Sequence, residues 1–300
     1  MMKNLIILLL ISATTFAEAN QFDCAPIQEI KWEKLSNGVE WTKYDLAFTP
    51  YLKETQTWQE KKSRSVTVRA FKVNTTKNKL LFHSPKIDLA CDASSEKYIK
   101  KMILDNGGPI IGAINASFFV MPSGNILGMA LDENKIWSSD LTTQTISSSG
   151  VFSIENGIPS LESKDQFSAR FGNVISQSDA ARFSLAVQAY PKLLINSELQ
   201  ISDSVLNSKR SRTSIGAAQN PEEILLVTID ARGETDKTGM TLFEYANFVK
   251  TPQCGVAQQT TLNLDGGGSS SFAIPSLSLY EQADKCRHLG NILTIQERDL

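Results

Sequence analysis

Four short segments carry residue types that could do chemistry together. The most informative runs Leu262-Asn263-Leu264-Asp265-Gly266-Gly267-Gly268-Ser269-Ser270. Leu262 and Leu264 alternate with polar neighbours as a buried strand does, which puts Asp265 at the strand's exit. Glycines there let the backbone turn tightly and bring N–H groups close to an anion. A carboxylate beside such a cradle suits chemistry on a phosphate or a sugar; the same residues also make a tight turn in which Asp265 caps its own backbone. The other three segments are Ile114-Asn115-Ala116-Ser117-Phe118-Phe119, Arg212-Thr213-Ser214-Ile215-Gly216 and Ile229-Asp230-Ala231-Arg232-Gly233. Each sets a polar or charged residue where an apolar strand starts or stops, and strand ends can bring residues distant in sequence to one rim of a sheet.

The elements that must position these ends are mostly strands. Val66 to Val73 alternates cleanly and reads as a half-buried strand, with Lys79 to His83 as its hairpin partner. Ile110–Ile114, Ile126–Leu131, Gly150–Ile154, Phe183–Ala189, Ser214–Ala218 and Ile224–Ile229 follow as further strands, punctuated by turn residues such as Pro122-Ser123-Gly124-Asn125. Helices are few. Ser94 to Asn106 has Tyr98, Ile99, Met102 and Ile103 on one face, and Asn106-Gly107-Gly108 ends it. Thr241-Leu242-Phe243-Glu244 is a capping box that opens a second helix. The expected class is α+β, with strand-rich mixed sheets and few helices.

Residues 1–19 read as a secretory leader: Lys3, an apolar run from Leu5 to Ile11, and Ala17-Glu18-Ala19 as an A-x-A cleavage pattern. That run is too short to span a bilayer, so no membrane anchor is expected and the protein should be periplasmic or secreted. Residues 20–64 form an N-terminal segment expected to pack on the main domain at 65–300. In an oxidising compartment four widely spaced cysteines fit two disulfides better than a zinc site. Three connectivities are possible, and pairing of chain neighbours favours Cys24–Cys91 and Cys254–Cys286. With 41% apolar and 21% charged residues and a net charge of −2, the chain can build a core. It has no basic stripe for nucleic acid, which is excluded as a partner.

Taken in this order, the four segments resemble the phosphodiester glycosidase domain family. The likeness rests on Asn115 through Phe119, Arg212-Thr213, Asp230 through Arg232, Gly239 through Glu244 and Asn263 through Ser269, with Val187-Gln188-Ala189-Tyr190-Pro191 as a Gln-x-x-Pro segment. His288 through Ile295 resembles the closing strand. It covers roughly residues 65–295. Two departures are Ala231 in place of the Gly of Asp-Gly-Arg, and Ala116-Ser117 in place of a glycine-bearing pair.

The resemblance implies cleavage between a sugar's anomeric carbon and a phosphodiester oxygen, on a carbohydrate or sugar-phosphodiester substrate. The transition state would carry positive charge on the sugar and negative charge on the departing phosphate. Asp265 is then the first candidate for nucleophile, base or ligand of sugar hydroxyls, and Asp230 is the second carboxylate. Arg212 and Arg232 could hold the phosphate through the guanidinium fork. Asn115 and Asn263 could meet phosphate or sugar oxygens, Gly266, Gly267, Gly268 and Ser269 would supply donors, and Phe118 could stack on a sugar ring. Glu244 reads as a helix cap. Asp265 and Asp230 with backbone carbonyls could hold a divalent cation such as calcium. Only two histidines exist, both outside the motifs, so no Ser-His-Asp arrangement is available. A phosphodiesterase that breaks the phosphorus–oxygen bond and a non-catalytic glycan-binding protein are the competing functions.

Overall fold

The computed structural model describes residues 21–84, 109–121, 123–133, 135–141, 148–204, 208–230, 239–284 and 289–298. The leader at 1–19, the Ser94–Asn106 helix and Arg232 fall outside these residues.

Ile224 to Ile229 is apolar on both sides, and the fold supplies two cores to receive it. Ile224 and Leu226 enter one, and Leu225, Val227 and Ile229 enter the other. This strand, Glu223–Asp230, lies inside a nine-stranded antiparallel sheet. The order is Cys24–Pro26, Val39–Phe48, Arg64–Asn74, Glu223–Asp230, Arg212–Ala217, Thr260–Asn263, Lys192–Ile195 and Glu198–Leu199, with Glu33–Ser36 hydrogen-bonded to Val39–Phe48.

One face of the large sheet carries the helix Leu242–Lys250, which buries Leu242, Tyr245, Ala246, Phe248 and Val249 against Val66, Val68 and Val227. The opposite face packs on two five-stranded sheets through Phe71, Phe82, Ile114, Phe152, Leu262, Phe272 and Leu293. The first of these has the order Leu279–Gln282, Ser271–Ile274, Gly112–Asn115, Ile292–Glu297, Asn78–His83. The second has the order Ile136–Ser138, Ala130–Asp132, Phe183–Ala189, Gly150–Glu155, Ile158–Ser163. The helices Lys164–Phe171 and Gln177–Ala180 close the outer side of the second sheet, with Phe167 and Phe171 packed on Phe183. The strand-rich expectation holds, and among the described residues the protein is mostly β. No helix among them is long and apolar enough to cross a membrane.

Two sequence expectations are corrected here. Lys79 to His83 does not form a hairpin with Val66 to Val73. Both edges of Arg64–Asn74 are already taken, by Val39–Phe48 and Glu223–Asp230. The chain therefore crosses at the Thr75–Lys77 turn into the facing sheet, where Asn78–His83 pairs with Ile292–Glu297. The cysteines also pair differently: Cys24 is bonded to Cys254, with Cα atoms 5.8 Å apart. This excludes both Cys24–Cys91 and Cys254–Cys286, while Cys91 and Cys286 themselves are outside the described residues. The reason is spatial. Cys24 begins the edge strand beside Val39–Phe48, and the turn Pro252–Cys254 after the helix lands on that same edge. The bond spans a separation of 230 residues. Cys254→Ser is expected to lower unfolding free energy by about 2–4 kcal/mol, checked by denaturant titration.

The Leu242–Lys250 helix begins as its sequence dictates. Thr241 Oγ1 accepts from the Glu244 N–H at 3.1 Å, and the Glu244 carboxylate accepts from the Thr241 N–H at 2.8 Å. Glu244 is fully buried and also pairs with Arg64 at 2.8 Å and with the Tyr51 N–H at 2.9 Å. Its acceptor capacity is committed to holding the helix start against the sheet.

Candidate active site

The ends of the motif strands meet at one rim. Arg212 stands opposite Ile229 in the antiparallel register, one residue from Asp230, and Ser214 stands opposite Asn263. Asn115 comes from the facing sheet, at the end of Gly112–Asn115. Its amide ties the layers together. Nδ2 donates to the Asp265 carbonyl at 2.6 Å, and Oδ1 accepts from Thr213 Oγ1 at 2.8 Å and from the Ser271 N–H at 3.0 Å. Asn115, expected as a donor to substrate, thus has both amide atoms engaged inside the protein and fixes the loop that carries Asp265. Asn115→Ala strands the Thr213 hydroxyl and the Ser271 N–H and is expected to cost about 1–3 kcal/mol of stability, read by thermal unfolding.

The glycine loop lies across the start of Arg212–Ala217. Gly267 N donates to the Ser211 carbonyl at 2.8 Å, and Gly266 N donates to Asp265 Oδ1 at 2.9 Å. These two N–H groups therefore do not form the anion cradle expected of them. A methyl on Gly266 would sit 3.0 Å from the Ser211 carbonyl oxygen, and Gly267 has φ +61°, a left-handed conformation that favours glycine. The Gly268 carbonyl accepts from Gln282 Nε2 at 3.2 Å and from the Asp284 N–H at 3.3 Å. The Asp265 carboxylate is partly exposed at the loop's outer edge.

Arg212 is buried, and its fork reaches two backbone carbonyls: Nε donates to Met240 O at 3.0 Å and Nη2 to Ser208 O at 2.6 Å. Among the described residues no carboxylate pairs with it. Burial, and then the like charge of Arg210, push its guanidinium down to about 10, partly opposed by Tyr245 and Glu244. It stays cationic at neutral pH. Arg210 is exposed, has no carboxylate partner among the described residues, and packs beside Gly267. Two guanidiniums with no carboxylate ion pair among the described residues lie beside the Asp265 loop, an arrangement suited to an anion.

Asp230 sits on the other side of the loop, in a narrow cleft shared with Ser270, Ser271 and Glu281. Its carboxylate lies 3.5 Å from Arg69 Nη2, and Arg69 also pairs with Glu281. Burial pushes the Glu281 carboxyl up, but hydrogen bonds and charge from Lys43 and Arg69 outweigh this and hold it below its ordinary value.

Phe118 packs against Tyr190, with ring centroids 4.3 Å apart and planes inclined by 20°. Tyr190 is held next to the Asp265 loop. Asn263 Nδ2 donates to the Tyr190 carbonyl at 2.9 Å, and the Asn263 N–H donates to the Pro191 carbonyl at 3.1 Å. Asn263 Oδ1, Ser269 Oγ and both amide atoms of Asn291 are buried with no hydrogen-bond partner among the described residues.

The sequence assigns no role to Tyr190 and Thr213, though both lie in segments that carry the resemblance, and none to Arg210 and Arg69. Arg69 had a signal, being a charge inside an otherwise well-patterned strand; Tyr190 had only its place before Pro191. Gln188, quoted in the same segment, is a buried clamp that accepts from the Met129 N–H at 3.1 Å and donates to Ser149 Oγ at 2.9 Å. Among the described residues no group of three or more His, Cys, Asp or Glu is arranged to hold a metal ion. A larger cleft of about 560 Å³ lies away from this rim, lined by Thr75, Glu133, Arg182 and Arg298. Its arginines are closed in ion pairs, Arg298 with Glu133 and Arg182 with Glu155, both at 2.8 Å.

The sequence pattern of the phosphodiester glycosidase family matches residues 108–296. The chain is similar in fold to the zebrafish N-acetylglucosamine-1-phosphodiester alpha-N-acetylglucosaminidase catalytic domain, auto-inhibited by its pro-peptide. That match has a TM-score of 0.60 and 18% identity, covering 93% of this chain and 89% of that one. A Synechocystis protein named only as hypothetical gives a TM-score of 0.56 at 14% identity, covering 93% and 68%. A Burkholderia pseudomallei protein described as exported gives 0.53 at 11% identity, covering 93% and 98%. No curated protein matches the sequence.

Proposed function

Because the chain belongs to the phosphodiester glycosidase family, we propose that it hydrolyses the bond between a sugar's anomeric carbon and a phosphodiester oxygen. The products are a free sugar and a phosphomonoester. The observation that carries this reading is Arg212, a buried guanidinium with no carboxylate partner among the described residues, held beside the loop that presents Asp265.

The chemistry follows from where charge develops. As the bond from the anomeric carbon to the phosphoryl oxygen breaks, its electron pair leaves with the phosphate and the sugar carbon becomes cationic. Asp265 supplies negative charge on the sugar side. Arg212, with Arg210 nearer solvent, meets the growing negative charge of the phosphate. A phosphomonoester is a good leaving group, with a second pKa of about 6, so no strong general acid is required. The site needs none of the protein's histidines. Asp230, tethered by Arg69, serves as the second carboxylate, and Ser269 Oγ and Asn263 Oδ1 offer polar contacts to substrate. The name of the zebrafish enzyme makes N-acetylglucosamine-1-phosphodiesters the first compounds to try. We place the protein outside the cytoplasm, periplasmic or secreted; the buried Cys24–Cys254 disulfide and the likeness to a protein described as exported support this.

The test incubates purified protein with a set of sugar-1-phosphodiesters in heavy-oxygen water, with and without chelator, and reads products by mass spectrometry. Label on the free sugar is the expected result. Label on phosphate attached to the sugar would mean phosphorus–oxygen cleavage, and saturable glycan binding with no turnover would mean a binding protein. Loss of turnover with chelator would bring a divalent cation at Asp265 and Asp230 into the site.

A further inference from the structure

Tyr190 lies one residue from the proline that starts the turn into Lys192–Ile195, and the register Lys192–Leu262 sets it across from the Asp265 end of the neighbouring strand. Three facts distinguish it from a core tyrosine. Its ring is half-buried and stacked on Phe118, so part of the aromatic pair stays at the surface. Its backbone is tied to Asn263, two residues before Asp265. Its hydroxyl makes no hydrogen bond among the described residues. The buried tyrosines behave otherwise: Tyr44 donates to the Cys254 carbonyl, and Tyr245 donates to the Val227 carbonyl at 3.1 Å.

We propose that Tyr190 is a sugar-contacting residue of this site: with Phe118 it forms the platform under a pyranose ring, and its phenol O–H donates to a ring hydroxyl beside Asp265. This deepens the hydrolase reading and rests on it for the identity of the ligand. An aromatic surface suits the C–H face of a pyranose, and a phenol at its edge adds a directional donor. Burial and then the negative charge of Asp265 push the phenol above its ordinary value, so it remains a donor throughout the neutral range. The phosphate is served by the guanidiniums near Gly267, which leaves the Tyr190 side of Asp265 for the sugar.

The experiment compares wild type with Tyr190→Phe and Phe118→Ala on any phosphodiester the wild type hydrolyses. In parallel, tyrosine absorbance is followed while N-acetylglucosamine alone is titrated into wild type and Tyr190→Phe. Tyr190→Phe keeps the ring and the fold. It is expected to raise KM about tenfold with kcat within about twofold, the size of one neutral hydrogen bond. Phe118→Ala should raise KM by at least as much. N-acetylglucosamine should perturb a tyrosine signal that is missing in Tyr190→Phe. Turnover with KM unchanged in Tyr190→Phe would overturn the inference and leave the hydrolase reading standing. A fall in kcat at constant KM would likewise overturn it, because the phenol would then act on the chemistry. No turnover by wild type, with the sugar still perturbing Tyr190, would uphold the inference and remove the hydrolase reading. Neither turnover nor perturbation would remove both.

Discussion

Asp265→Asn should reduce kcat/KM on a cleaved sugar phosphodiester by about 10³-fold, in the middle of the range for removing a group that acts directly at the reacting centre. The substitution is close to isosteric, and three contacts that shape the loop survive it. Asparagine's Oδ1 can still accept from the Gly266 N–H, and the main-chain bonds from Asp265 N to Ala116 and from Asn115 Nδ2 to the Asp265 carbonyl do not involve the carboxylate. What disappears is the negative charge that the proposed mechanism sets against the sugar carbon. Thermal unfolding should therefore stay near wild type while activity falls. The change also has a readout independent of turnover: without that charge, one of the two causes raising the Tyr190 phenol is gone, so its ultraviolet titration should move to lower pH. Activity within tenfold of wild type would remove Asp265 from the chemistry, whatever the titration showed.

Arg212→Met is the second large effect. It should lower kcat by about 10²- to 10³-fold, the loss typical of removing one preorganised stabiliser of developing negative charge. The companion expectation concerns stability. A buried cation without a carboxylate is costly to keep charged, and methionine removes that penalty while filling similar space. Against it stand two lost hydrogen bonds, to the Met240 and Ser208 carbonyls. These terms oppose one another, so the variant should fold with little change in Tm. Arg212→Lys should be nearly as inactive, because one ammonium cannot reach two carbonyls and also present a fork to phosphate. A strong loss of stability in Arg212→Met with activity preserved would make Arg212 a structural residue.

Much of this was legible in the sequence where the cause is local. The Thr241–Glu244 capping box needs only four consecutive residues, and it formed as read. The apolar stretch at Ile224–Ile229 and the glycine-terminated strand before Asp265 likewise carry their own signals. Long-range choices are less readable. Lys79 to His83 alternates well enough to pair with any free edge, and only the three-dimensional count of edges assigns it to Ile292–Glu297. Cysteine pairing follows from which edges meet, so chain proximity misled. Asn115 looks like a ligand donor in sequence, and its service to Thr213, Ser271 and Asp265 exists only after three strand ends converge. Tyr190 sits only in the Gln-x-x-Pro segment, and its hydroxyl, unbonded among the described residues, is visible only in three dimensions.

The strand pairings also bear on the order in which the chain can fold. Thr67 stands opposite Asp230, and His83 opposite Ile292. Arg64–Asn74 cannot take its place beside Glu223–Asp230 until the latter has been synthesised, and Gly112–Asn115 must wait for Ile292–Glu297 to gain its second neighbour. Such contacts have high sequence separation, and their loop-closure cost falls due before any core is gained, so folding should be slow. The sheet built within residues 130–189 can pair early, whereas the rim waits for the C-terminal strands. Deleting Ile292–Glu297 would then abolish folding outright, for that strand completes the sheet carrying Asn115, on which the rim depends.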